Sequence, residues 1–150
     1  MSYVPFGENQ PLKITSALSA DGQYSGIIED GTAGTTLAFG DIVYLSVTDS
    51  RWELADADAS STAGAVKIGM CVMAAAADGA ATQILLWGKV RADAIFPALT
   101  IGAPVYVSTT AGDIQTTQPS GTDDVVRIVG YGNTSDELFF CPSPDFTTIV

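Results

Sequence analysis

Phe39-Gly40-Asp41-Ile42-Val43-Tyr44-Leu45-Ser46 reads against Ile101-Gly102-Ala103-Pro104-Val105-Tyr106-Val107-Ser108 at a constant offset of 62, with Gly, Val, Tyr and Ser matching. Val66-Lys67-Ile68-Gly69-Met70 then reads against Arg127-Ile128-Val129-Gly130-Tyr131 at an offset near 61. Gln83-Ile84-Leu85-Leu86-Trp87-Gly88 reads against Glu137-Leu138-Phe139-Phe140-Cys141-Pro142 at 54. Self-similarity of this kind means one supersecondary unit used twice. The offset shrinks because the loop before the third strand shortens, and loop length is cheap: doubling it costs about 0.6 kcal/mol in closure entropy.

Each unit is three short runs rich in β-branched and aromatic residues, at 42–47, 66–73 and 83–90, then 104–108, 125–131 and 137–141. Between them stand turn signals such as Gly40-Asp41, Asp78-Gly79 and Gly112-Asp113, with Asp21-Gly22 and Asp30-Gly31 upstream. These residues tolerate positive φ or bond their own backbone, so they end strands. In Val-Tyr-x-Ser the alternation predicts Val43 and Leu45 on an apolar face with Tyr44 and Ser46 opposite; Val105, Val107, Tyr106 and Ser108 repeat it. The Ala-rich stretches at 56–65 and 73–81 are broken by Gly or Asp and predict loops or one short turn.

A three-stranded unit with one apolar face is marginal alone, so two should pack together. The expected fold is all-β, a compact β-sandwich or small barrel made of two diverged three-stranded repeats, with an extended N-terminal arm. Residues 1–37 form the arm and a first hairpin, 38–95 the first repeat and 96–150 the second, in one domain overall.

Composition narrows the function. The net charge is −11, and the six basic residues (Lys13, Arg51, Lys67, Lys89, Arg91, Arg127) stand singly. Nucleic-acid binding needs clustered cations, so no nucleic-acid partner is expected. No membrane partner is expected either: there is no basic amphipathic stretch, and the longest apolar run, residues 70–77, falls far short of the roughly 20 that span a bilayer. Charged residues are only 15% of the chain against 47% hydrophobic. The surface must therefore be covered by small polar residues or partly hidden in an oligomer. The N-terminus has neither a basic start nor an apolar core, so no secretory signal is expected and synthesis is placed in a cytoplasm.

Chemistry is sparse. There is no histidine, which removes the commonest general base and metal ligand and every Ser-His or Cys-His nucleophile. Gly88-Lys89 is followed by Val90 and lacks the phosphate-loop spacing. Asp56-Ala57-Asp58-Ala59-Ser60 opens like a calcium loop, but Ser61 and Lys67 stand where Gly and Glu are required, leaving a solvated loop. Asp123-Asp124 and Asp136-Glu137 read as turn formers. Cys71 and Cys141, each among apolar neighbours, read as buried free thiols. No catalytic residue, cofactor or metal is expected. Trp52 and Trp87, with Tyr24, Tyr44, Tyr106 and Tyr131, fit either a sugar-stacking platform or a core or interface, and the second suits aromatics better. Arg51, Trp52, Trp87 and Arg91 are the candidates for a subunit interface.

The segment from Gly102-Ala103-Pro104-Val105-Tyr106-Val107-Ser108-Thr109-Thr110-Ala111-Gly112-Asp113-Ile114 through Val126-Arg127-Ile128-Val129-Gly130-Tyr131 resembles tailed-bacteriophage head decoration (cement) proteins and related head-fibre modules. The earlier Gly40-Asp41-Ile42-Val43-Tyr44-Leu45-Ser46, with Trp52-Glu53-Leu54-Ala55-Asp56-Ala57 and Lys67-Ile68-Gly69, is similar; residues 1–37 are unmatched. Small size, a start at Met1 and no stalk or collagen-like repeat favour the head over a fibre. The resemblance implies a non-enzymatic homotrimer on the outer surface of a virion, clamping the phage major capsid protein. Its arm, through Tyr3, Val4, Pro5 and Phe6, would touch the shell. The rival reading is a receptor- or carbohydrate-binding fibre module.

Overall fold

The computed structural model describes residues 12–150. Among these the strands are β1 (Gln23–Thr32), β2 (Ile42–Leu45), β3 (Trp52–Leu54), β4 (Ile68–Met73), β5 (Ala81–Arg91), β6 (Pro104–Val107), β7 (Ile114–Gln115), β8 (Val125–Val126), β9 (Ile128–Gly132), β10 (Glu137–Phe140) and β11 (Thr147–Thr148). One helical turn, α1 (Ser60–Ala63), interrupts them, so the chain is all-β as its strand pattern predicts. The main sheet is antiparallel and curled into a half-barrel, in the order β3-β2-β4-β5-β10-β9-β6-β7, and a short β8–β11 pair closes beside it.

The order β3-β2-β4-β5 recurs as β7-β6-β9-β10, one unit for each sequence repeat. Register follows the sequence offsets. Val43 faces Gly69 as Val105 faces Gly130, and Met70 faces Leu85 as Tyr131 faces Phe139. The two glycines are there for space: a Cβ on Gly69 would lie 2.2 Å from Ile84 Cγ2, and one on Gly130 would lie 2.2 Å from the backbone oxygen of Phe139. Each unit gains a fourth, short strand (β3, β7) that three-strand counting leaves out. Against β6, β9 carries an extra residue, Val129, in a bulge opposite the step from Val105 to Tyr106, which the β2–β4 pair lacks.

The repeated motif is a hairpin device. Gly40 (φ 92°) and Gly102 (φ 76°) turn the chain into β2 and β6 in a left-handed conformation that favours glycine. Ser46 Oγ accepts the Thr48 N–H at 3.2 Å and Ser108 Oγ accepts the Thr110 N–H at 3.0 Å. The serines therefore build turns instead of forming a solvent face. At the same place in each hairpin, Ser50 (φ 59°) and Gly112 (φ 83°) complete the reversal.

Burial differs from the predicted single apolar face. Val43, Trp52, Cys71 and Ile84 enclose a small core with Ala33, Leu37 and Ala75, while Ile42, Ile68, Met70 and Leu85 on the opposite face of the same strands belong to a larger one. Tyr44 packs on the larger core and Leu45 on the smaller, so both faces of the first repeat are covered. In the second repeat Val105, Val107, Ile114 and Leu138, the counterparts of the small-core set, line the larger core. The repeats thus stack in the same sense, the front of the second sharing a core with the back of the first.

β5 belongs to both repeats. It pairs with β1 along its length, with β4 over residues 83–85 and with β10 over residues 88–91. A strand has two edges, and β1 occupies one, so β4 and β10 share the other. A bulge at Leu86 shifts the alternation by one, and Leu85 before it and Val90 after it both point into the larger core.

Residues 12–37 hold β1 as a single strand, not a hairpin, because its partner is the distant β5. Asp30-Gly31 lies inside that strand instead of ending it; a Cβ on Gly31 would lie 2.6 Å from the Trp52 indole nitrogen. The Asp56 loop closes on itself, Asp56 Oδ1 accepting the Asp58 N–H at 2.9 Å. Cys71 and Cys141 are free thiols, the first buried and the second half-buried.

Candidate functional site

The outer face of the second repeat is where side chains remain unspent. Alternation along five adjacent strands places Ile27 of β1, Trp87 of β5, Phe139 of β10, Tyr131 of β9 and Pro104 of β6 on it, in a continuous row: Ile27 pairs with Trp87, Phe139 with Tyr131, and Tyr131 with Pro104. Trp87 and Phe139 bridge the remaining gap edge to face, with centroids 5.1 Å apart and planes at 88°. Ile27, Trp87 and Tyr131 keep 53%, 41% and 41% of their surface exposed.

One end of this face is sealed by the N-terminal segment. The buried Glu137 carboxylate accepts the Leu18 N–H through Oε1 and the Asn133 side-chain amide through Oε2, both at 2.9 Å. Lys89 Nζ donates to Ser16 O at 2.6 Å and stands 3.8 Å from Glu137. The Thr15 N–H reaches Ser25 Oγ at 2.9 Å. The segment therefore runs along β5 and reaches the aromatic row, where Leu12, Lys13 and Ile14 border a cleft of about 250 Å³ against Gly26, Ile27 and Trp87. Reading Glu137 as a turn former misses this; its burial follows from a strand position opposite Arg91 that the segment covers.

Of the four interface candidates, only Trp87 presents a large apolar surface. Trp52 is 2% exposed and forms the centre of the small core, which takes it out of any contact between chains or with a sugar. Alternation on β3 turns it inward and leaves its polar neighbours outside. Arg51 is tied to Asp78 at 2.5 Å. Arg91 grips Asp93 with two bonds of 2.8 and 3.0 Å and donates to Leu18 O at 3.2 Å. The paired hydrogen bonds raise the arginine pKa and lower that of Asp93, keeping both charged. These two arginines are committed within the chain. Tyr3, Val4, Pro5 and Phe6, the candidate shell contacts, lie outside the described residues.

Elsewhere the candidates resolve into structure. Lys67 donates to Glu29 at 2.6 Å and lies 5.6 Å from the centre of the Trp52 ring, closing the rim of the small core. Arg127, buried, donates from Nη1 to Gly64 O and Val66 O at 2.6 and 2.8 Å, to Ala63 O at 3.3 Å, and from Nε to Ser143 O at 2.8 Å. It satisfies the carbonyl of Ala63 at the end of α1 together with those of Gly64, Val66 and Ser143 beside it. Asp123 sits at positive φ (69°), and Asp124 accepts the Gly121 N–H at 2.8 Å, both as turn residues. Glu137 was the missed residue, and Phe139 was legible only as the outward member of the Phe139-Phe140 doublet. Comparison with protein families, with characterised proteins and with solved structures finds no match to this chain.

Proposed function

We infer that this is a structural virion protein that binds the outside of a phage head as a homotrimer and stabilises the shell, without turnover. The observation that carries the reading is what the resembling residues do. Gly102, Ser108 and Gly112 make the second-repeat hairpin, and Arg127 and Gly130 lock its inner strand. The likeness is therefore one of architecture, and it needs no reacting group. The sparse charge and the uncovered aromatic row favour a chain that works by contact. A protein that binds the expanded lattice and not the immature one stabilises the first by its binding free energy, and three linked copies multiply the effect.

The test mixes the purified protein with mature and immature heads and images the particles. Density at three-fold and quasi-three-fold positions supports the reading, and no binding to either form refutes it. Removing residues 1–10 should weaken binding if Tyr3 to Phe6 touch the shell. One observation favours a fibre module instead: Trp87 is exposed beside Phe139, as in a sugar platform. A glycan-array signal lost on Trp87→Ser would support that alternative.

A further inference from the structure

We propose that the row Ile27, Trp87, Phe139, Tyr131 and Pro104 is the surface on which one copy of this chain seats another. The first argument is internal. By the repeat offsets Pro104, Tyr131 and Phe139 correspond to Ile42, Met70 and Leu85. In the first repeat that back face is buried in the larger core together with the front of the second repeat. In the second repeat the same positions form the back face again, and among the described residues no further β unit covers it. Their side chains are Pro, Tyr and Phe in place of Ile, Met and Leu. Tyrosine tolerates both the wet free state and the dry bound one, and aromatics are enriched at interfaces.

Area and charge select the occupant. Ile27, Trp87 and Tyr131 are about two-fifths to half exposed while Phe139 and Pro104 are partly buried; with aromatic side chains covering about 150–250 Å² each, the row leaves roughly 300–400 Å² of apolar surface. That is about half of the roughly 800 Å² per partner in a standard interface, the share expected of an apolar centre within a polar rim. Copies of a chain carrying a net charge of −11 repel one another. The row contains no carboxylate, and Glu137, two residues from Phe139 on the same strand, is buried beside Lys89. The row itself therefore brings no acid to the contact. In a closed trimer each contact is head to tail, so the row would meet a different surface on its partner. This rests on the homotrimer reading and says which face makes the trimer.

The test is sedimentation velocity over a wide concentration range on the full chain, Tyr131→Asp, Trp87→Ser and a control, Val47→Asp, whose side chain is fully exposed on the first repeat. The expected result is a trimer for the parent and the control and a three-fold lower mass for the two row variants, with circular dichroism unchanged. Trp52 is buried, so acrylamide quenching reads Trp87, and it should rise in Tyr131→Asp. A parent that is monomeric throughout, or a folded Tyr131→Asp that keeps the parent mass, overturns the proposal. So does a monomer whose Trp87 becomes quenchable only when residues 1–11 are removed, which would make that segment the occupant. Heads decorated by a monomeric parent would sink this proposal and leave decoration standing. A row-dependent trimer that binds no head would do the reverse.

Discussion

Lys67 and Arg127 occupy the same place in the two repeats, since the Leu45 N–H donates to Lys67 O and the Val107 N–H to Arg127 O. Yet the structure assigns them unequal burdens, and replacing each by methionine measures the difference. Arg127→Met leaves the carbonyls of Ala63, Gly64, Val66 and Ser143 without their donor in a buried site. Orphaned buried acceptors cost about 1–3 kcal/mol each, but methionine recovers the packing of the stem, giving an expected loss of about 3–5 kcal/mol. For a chain of this length that lowers Tm by roughly 10–15 °C. Lys67→Met removes one partly exposed ion pair and a cation above Trp52, together worth about 1 kcal/mol or less. Urea unfolding with a shared m-value gives both numbers. Equal losses, or an Arg127→Met loss under about 1 kcal/mol, would refute the assignment of Arg127 as the donor those carbonyls need.

Burial, opposed by the Ala38 N–H bond and reinforced by Asp113, raises the Asp41 pKa above its ordinary 3.8. The folded state then binds the proton more tightly than the unfolded one, so stability falls as pH rises from about 4 through the raised value. Asp41→Asn should accordingly raise Tm at neutral pH, with the gain vanishing once the pH is taken below 3.8. A Cβ on Gly88 would sit 2.2 Å from Ser25 O, whereas one on Gly22 meets nothing within 4 Å. Gly88→Ala should therefore cost more than about 3 kcal/mol by prising β1 from β5, and Gly22→Ala only about 1 kcal/mol of backbone strain, both read by urea unfolding. Glu137→Ala removes the acceptor of the Leu18 N–H and the partner of Lys89. Hydrogen exchange should show residues 14–18 losing protection while β4 and β9 keep theirs.

The repeats and their registers were legible because backbone pairing fixes spacing: Gly69 must clear the Ile84 side chain and Gly130 the Phe139 backbone, and a slip would move every strand residue to the wrong face. β1 was illegible because Gly26 and Gly31 look like turn residues, when they permit close approach to Gly88 and Trp52. Val43 and Val105 stand in matching sequence yet line different cores, since the stacking of the repeats, not the local pattern, decides what covers each face. The aromatic row draws on five strands from three distant parts of the chain. Nothing local in the sequence announces it.

The shared edge of β5 sets an order of events during synthesis. β4 and β5 are neighbours in sequence and can pair as a hairpin as soon as both emerge, but the Gly88–Arg91 half of that edge has no partner until β10 is made. Through that interval the growing chain carries an open strand edge, whose unpaired backbone groups can recruit other chains. Long-range β pairing of this sort closes in milliseconds to seconds, not microseconds. Production of this protein should thus be limited by how well the nascent first repeat is shielded, and a chain cut between the repeats should aggregate instead of yielding a smaller folded unit.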